Sequence, residues 1–275
     1  MMNRKLYITI FCILHVILFA QKARNFEAED DIAEFQLEDG SSFRGHFIGP
    51  VIITFTSGQI ILNNKISGFK YATLDDKVKK EIRSNDVKRV IFYNNDSIAG
   101  IQEKINVKTV DREGNLSESN FETFEYLLYD GEIKLYGSNV YTCETLSPCY
   151  YTHSNFYIQK SGDPYAVLAV KKKSQFSSKI GSSIENIVDA FKAIGGKCSS
   201  FNQYLDFFDK EILQGKKLDK TLQKEYQDIY EVTLKETKND RTQFRKFFNL
   251  VADKVQSRQA EVYFGIIKEY EKNCL

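Results

Sequence analysis

The stretch FQLEDGSSFRGHF (residues 35–47) sets Phe35 and Leu37 in alternation before Asp39-Gly40, and Phe43, Gly45 and Phe47 in alternation after it. Alternation with a period of two marks a strand with one buried face. Asp-Gly between two such runs predicts a tight hairpin, since glycine accepts the positive φ that the turn requires. Outward from this hairpin the pattern continues. Residues 51–55 and 59–62 predict short strands around Ser57-Gly58, and residues 69–71 and 87–93 predict two more, separated by the charged run LDDKVKKEIRSND. Ile105, Val107 and Thr109 alternate again, and Ile133 and Leu135 lead into a loop with two cysteines. Residues 156–160 and 165–170 predict a last hairpin around Ser161-Gly162-Asp163-Pro164. One interruption is expected: Phe121, Phe124, Leu127 and Leu128 have helical spacing, which predicts a short helix near residues 120–129 ended by Asp130-Gly131.

From Ser182 the period changes from two to about 3.6. Ser182-Ser183-Ile184-Glu185 reads as a capping box, in which hydroxyl and carboxylate satisfy opposite unpaired N–H groups. Ile184, Ile187, Val188, Phe191 and Ile194 form one apolar stripe, closed by Gly195-Gly196. Further stripes are Phe201, Tyr204, Leu205, Phe208 and Ile212; Leu218, Leu222, Tyr226 and Ile229; Phe244, Phe247, Phe248, Val251 and Val255; and Tyr263, Ile266, Ile267 and Tyr270. The expected fold class is α+β. Short antiparallel strands, small-barrel-like, come first, and an all-α helical bundle follows.

The first residues bear on compartment. Met1-Met2-Asn3-Arg4-Lys5 is basic, and the run LYITIFCILHVILFA from Leu6 to Ala20 is apolar but for Thr9 and His15. A positive start, an apolar core of about 15 residues and a small residue at its end read as a secretory signal peptide, with cleavage between Ala20 and Gln21 and Leu18 at the −3 position. The run is short of the roughly 20 residues a membrane-spanning helix needs. Cys12 follows bulky Phe11 within the apolar core, which argues against lipid attachment. The expected organisation is therefore a signal peptide over residues 1–20, an acidic lead-in over 21–32, a β-rich domain over 33–173 and a helical domain over 174–275. The mature chain is expected to be exported, periplasmic or secreted, without a membrane span.

Lys and Arg number 38 against 37 Asp and Glu. Removing Arg4 and Lys5 with the leader leaves 36 against 37, a net charge of −1. That balance argues against nucleic-acid or anionic-membrane partners, which favour a basic excess. A protein or an envelope polymer is the expected kind of partner.

Four cysteines remain after cleavage: Cys143, Cys149, Cys198 and Cys274. An even number in an exported chain reads as disulfides, for which four cysteines allow three pairings. Cys274 lies four residues after Tyr270 on the same apolar stripe, and Cys198 extends the Phe201 stripe backwards, so Cys198–Cys274 is preferred. Cys143–Cys149 completes the set, with Pro148 stiffening the turn between them. His153 leaves a metal reading conceivable for that loop, but it lacks a fourth ligand. A redox pair would favour a shorter spacing.

There is no H-E-x-x-H, no G-x-S-x-G, no phosphate-binding loop and no G-x-G-x-x-G. No catalytic, metal or cofactor site is therefore assigned, and no cofactor is expected. The mature chain has two histidines. His46 alternates with the apolar residues of its strand and reads as solvated. Tyr150, Tyr151, His153 and Tyr157 form an aromatic cluster, read first as cross-strand packing and second as a contact patch for a ligand. Glu125, Asp130 and Glu132 are carboxylates of the kind a glycoside hydrolase uses, but nothing distinguishes them among 37 acids.

The stretches LEDGSSFRGHF, FKYATLDDKVKKEIRSNDVKRVIF and YYTHSNFYIQKSGDPYAVL resemble exported bacterial proteins of uncharacterised function. The resemblance covers Phe35 to Leu168 and rests on turn-and-strand signals, so it implies a β-rich fold and transfers no site residues. The strand pattern also looks like small SH3- or Sm-type barrels, an analogy of fold alone. The expected function is that of a non-enzymatic exported binding, interaction or envelope-associated protein. Its alternative is a carboxylate-dependent hydrolase acting on an envelope or extracellular polymer.

Overall fold

A computed structural model describes residues 32–57, 60–110, 115–142, 150–169, 187–196, 198–213, 217–237 and 244–275. The expected signal peptide, the loop with Cys143 and Cys149, and the capping box at Ser182 lie outside the described residues. The strands are β1 (Ile32–Leu37), β2 (Ser42–Ser57), β3 (Ile60–Thr73), β4 (Lys79–Arg83), β5 (Val87–Asn94), β6 (Ser97–Val110), β7 (Phe121–Tyr129), β8 (Ile133–Thr142), β9 (Tyr150–Lys160) and β10 (Ala166–Ala169). The helices are α1 (Ile187–Gly195), α2 (Ser199–Phe208), α3 (Lys217–Glu236) and α4 (Phe244–Cys274), with a π-turn at Asp209–Leu213 after α2. The chain is thus α+β, with its strands before its helices.

The Asp39-Gly40 turn forms as the residue types require. Gly40 has φ +86°, and the Asp39 carboxylate accepts the Ser41 N–H at 2.9 Å. It joins β1 to β2 in antiparallel register, Phe35 opposite Phe43. At the β5–β6 turn Asn95 and Asp96 both take positive φ, as a two-residue hairpin of mirror-image twist demands.

All ten strands share one sheet in the order β4-β3-β2-β1-β5-β6-β7-β8-β9-β10, and β10 returns to pair parallel with β6 from Ala166↔Val107 to Ala169↔Val110. That last pairing closes β6 to β10 into a five-stranded barrel. β6 is long enough to serve both parts of the sheet. Its first half pairs with β5, its middle with β7 and its last four residues with β10. The small barrel expected from the strand pattern is therefore present, with half of the sheet continuing beyond it as an open flap.

The flap carries an aromatic core. Phe35 stacks on Phe43 at 5.0 Å, Phe47 meets Phe92 edge-on at 5.0 Å, and Phe69 meets Phe124 of β7 edge-on at 4.9 Å. Such pairs add about 0.5–1.5 kcal/mol each beyond the area they bury. The contact with Phe124 folds the flap over the outer face of β7. The outer edge strand β4 is short and reads KKEIR, a charged edge that discourages further pairing.

The helices cover another part of the barrel's outside. Ile187, Val188, Ala190, Phe191 and Ile194 of α1, Phe201, Leu205 and Phe208 of α2, and Val255, Tyr263, Ile266, Ile267 and Tyr270 of α4 share one core with Ile133, Leu135, Phe156, Ile158 and Val167 of β8 to β10. Phe156 stacks on Tyr263 at 4.6 Å. A nine-residue helix such as α1 is marginal alone in water, so this burial is what holds it. The apolar stripes therefore converge on the strands as well as on one another, and strands and helices share a core.

The helix expected near residues 120–129 is not formed. Those residues are β7, paired with β6 and β8. Phe124 faces the flap while Glu125 and Leu127 are buried on the opposite face, in the barrel lining, and a bulge between Leu127 and Tyr129 shifts the register. A strand buried on both faces loses strict alternation, and the bulge completes a spacing that imitates a helix.

Candidate functional site inside the barrel

Strand alternation sends one set of side chains inward. The face of β6 to β10 that the helices leave uncovered carries Ile105 and Val107, Leu127, Tyr136, Tyr157 and Ala166 as a separate buried cluster, which is the lining of the barrel. Two facing pairs of large polar residues share that face. Glu103 stands directly opposite Glu125 across β6 and β7, and Tyr136 stands opposite Tyr157 across β8 and β9. All four are nearly fully buried: Glu103 is 8% exposed, Glu125 4%, Tyr136 1% and Tyr157 3%.

The two carboxylates have different surroundings. Glu103 is ion-paired with Arg89 of β5, and its Oε2 lies 3.7 Å from the Lys134 ammonium. The Tyr136 hydroxyl donates to that same oxygen at 2.8 Å and lies 3.1 Å from Gln159 Oε1, while Gln159 Nε2 donates to the Asp163 carbonyl at 2.7 Å. Lys134 also meets Asp130 at 3.3 Å. Burial beside the Glu103 charge keeps the Tyr136 hydroxyl protonated, far above the usual phenol range.

Glu125 has no cation among its described contacts. Its Oε1 accepts from the Thr123 hydroxyl at 3.0 Å, while Oε2 is enclosed without a hydrogen-bond partner. Burial pushes its pKa up to about 7, and the nearby hydroxyls of Ser138, Thr123 and Tyr157 pull the other way. Burial also raises Tyr157 well above the usual phenol range, aided by the Glu125 charge.

Tyr157, grouped in the sequence with Tyr150, Tyr151 and His153 as cross-strand packing first and a contact patch second, points into the barrel opposite Tyr136. Tyr150, Tyr151 and His153 lie on β9, and their side chains fall outside the described residues. His46 is half-buried on β2 with its Nδ1 enclosed. The structure joins Cys198 at the start of α2 to Cys274 at the end of α4, with 5.9 Å between Cα atoms. This is the pairing expected from the helix stripes. Among the described residues no three His, Cys, Asp or Glu side chains gather as a metal site. Sequence reasoning named Glu125 without distinguishing it and missed Glu103, Tyr136 and Gln159. The signal that could have found them is an acid at an inward position of two neighbouring strands, readable once β7 is known to be a strand.

Chemically, the lining offers one carboxyl that holds a proton near neutrality and one that is ion-paired, both nearly fully buried. No protein-family model matches the chain, no curated protein is detectably similar to it, and neither is any solved structure.

Proposed function

We propose that this chain is an exported, non-enzymatic binding or envelope-associated protein. Its β-rich part would make contact with a protein or an envelope polymer, and its disulfide-stapled helices would brace the barrel. The observation that carries the reading is the enclosure of Glu103 and Glu125. The acidic pair that the fold assembles is spent on its interior rather than presented in a cleft. Two further facts are compatible with export. Cys198–Cys274 is a bond favoured by oxidising compartments, and no helix among the described residues is long and apolar enough to cross a membrane.

One observation favours the rival hydrolase: two carboxyls in direct cross-strand register, in environments that differ. A single experiment separates the two readings. The exported protein is purified from its host, its intact mass and thiol count are measured, and it is incubated with the host's insoluble envelope polymer. A chain beginning at Gln21, without alkylatable thiols, that co-sediments with the polymer and releases no soluble fragments supports binding. Fragment release that disappears in Glu125→Gln establishes the hydrolase. A full-length chain that stays in the cytoplasm overturns export.

A further inference from the structure

We propose that Glu125 is a proton-operated lock on the barrel: the closed ring is built around this carboxyl in its protonated form, and loss of the proton loosens β7 from β6 and β8. The geometry is specific. Glu125 is 4% exposed, faces inward and stands opposite a second carboxylate, Glu103, on β6. The cations near the pair, Arg89 of β5 and Lys134 of β8, contact Glu103. The groups that hydrogen-bond Glu125 are neutral hydroxyls: Thr123 on its own strand, Ser138 on β8 and Tyr157 on β9. β10 contributes only Ala166 and Leu168 to this lining. A charge on Glu125 would thus stand nearly sealed from water, with no cation among its described contacts and only neutral hydroxyls beside it.

The acidity of the group agrees with that geometry, since burial raises it from 4.5 to about 7. The sign follows from linkage. The folded chain binds this proton more tightly than the unfolded chain, so stability is fully present below pH 4.5 and falls as pH rises towards 7. Above pH 7 both states have lost the proton and the loss levels off. A difference of 7 − 4.5 = 2.5 pH units corresponds to about 300-fold in the folding equilibrium. The proposal holds whether the protein binds a polymer or cleaves it.

The test is urea unfolding of the full mature chain from pH 4 to 8.5, for the wild type and Glu125→Gln. Linkage from other groups is common to both, so their difference isolates Glu125. The expected result is a wild-type folding equilibrium that weakens about 100-fold more than the variant's across pH 4.5–7.5. Parallel curves would overturn the proposal. Should the variant not fold, the Glu125 carboxyl is titrated in the wild type by carbon NMR while amide exchange is followed in β6, β7 and β8. A midpoint near 7 accompanied by faster exchange supports the lock. A midpoint in the ordinary carboxylate range, or exchange indifferent to pH, refutes it.

Discussion

Replacing both Cys198 and Cys274 by serine should leave the fold intact and weaken it by about 4.5 kcal/mol. The magnitude comes from the chain that the bond closes. The cysteines are 76 residues apart in sequence, and a loop of that length loses roughly 15 cal/mol/K of unfolded-state entropy on cross-linking. At 25 °C this is about 4.5 kcal/mol, an upper figure because a reduced unfolded chain retains some compactness. The native contacts across the bond are expected to survive its loss. Ser200 Oγ donates to the Asn273 carbonyl at 3.2 Å, and Phe201 meets Tyr270 edge-on at 5.1 Å. Those contacts hold the start of α2 against the end of α4 without the sulfurs. The assay is urea unfolding at fixed pH, with the wild type as the reference. The double variant should keep the wild-type circular dichroism, unfold at lower urea and show a slightly steeper denaturant dependence as its unfolded chain expands. A loss below about 1 kcal/mol would refute the reasoning, by showing that the unfolded chain gains little freedom when the bond is removed.

Three further outcomes are expected. Phe35→Ala, at the centre of the flap's aromatic core and fully buried, should cost about 3–5 kcal/mol in chemical denaturation, and a cost under 1 kcal/mol would mean that the flap does not pack as described. Tyr136→Phe removes the hydroxyl that serves Glu103 and Gln159, and a loss of about 1–3 kcal/mol is expected because the Glu103 carboxylate stays buried. Gly68→Ala would put a Cβ 2.5 Å from the Ile82 carbonyl oxygen, which belongs to backbone and cannot swing away. It should destabilise by about 1–3 kcal/mol and raise amide exchange selectively in β4, whereas protection unchanged in that strand would contradict the pairing of β3 with β4.

Much of the architecture is local in origin and therefore legible from residue order. The Asp39-Gly40 turn needs only a glycine at positive φ and two alternating runs beside it. The strands at residues 87–93 and 105–109, the hairpin before Ala166 and the change of period before Ile187 are all consequences of which face of each element is apolar. Even Cys198–Cys274 could be read from stripes, because both cysteines continue helix faces that must be buried. β7 could not be read this way. Its two faces are both covered, one by the flap and one by the barrel lining, so the alternation that identifies a strand is erased. Closure of the barrel depends on Ala166 to Ala169 lying parallel to Val107 to Val110, a pairing across nearly sixty residues that no local pattern encodes. The site follows the same rule. Glu125 is one acid among 37 in the sequence. Only tertiary structure sets it opposite Glu103 and seals it from water among neutral hydroxyls, because burial and pairing are properties of the space around a carboxyl rather than of the chain beside it.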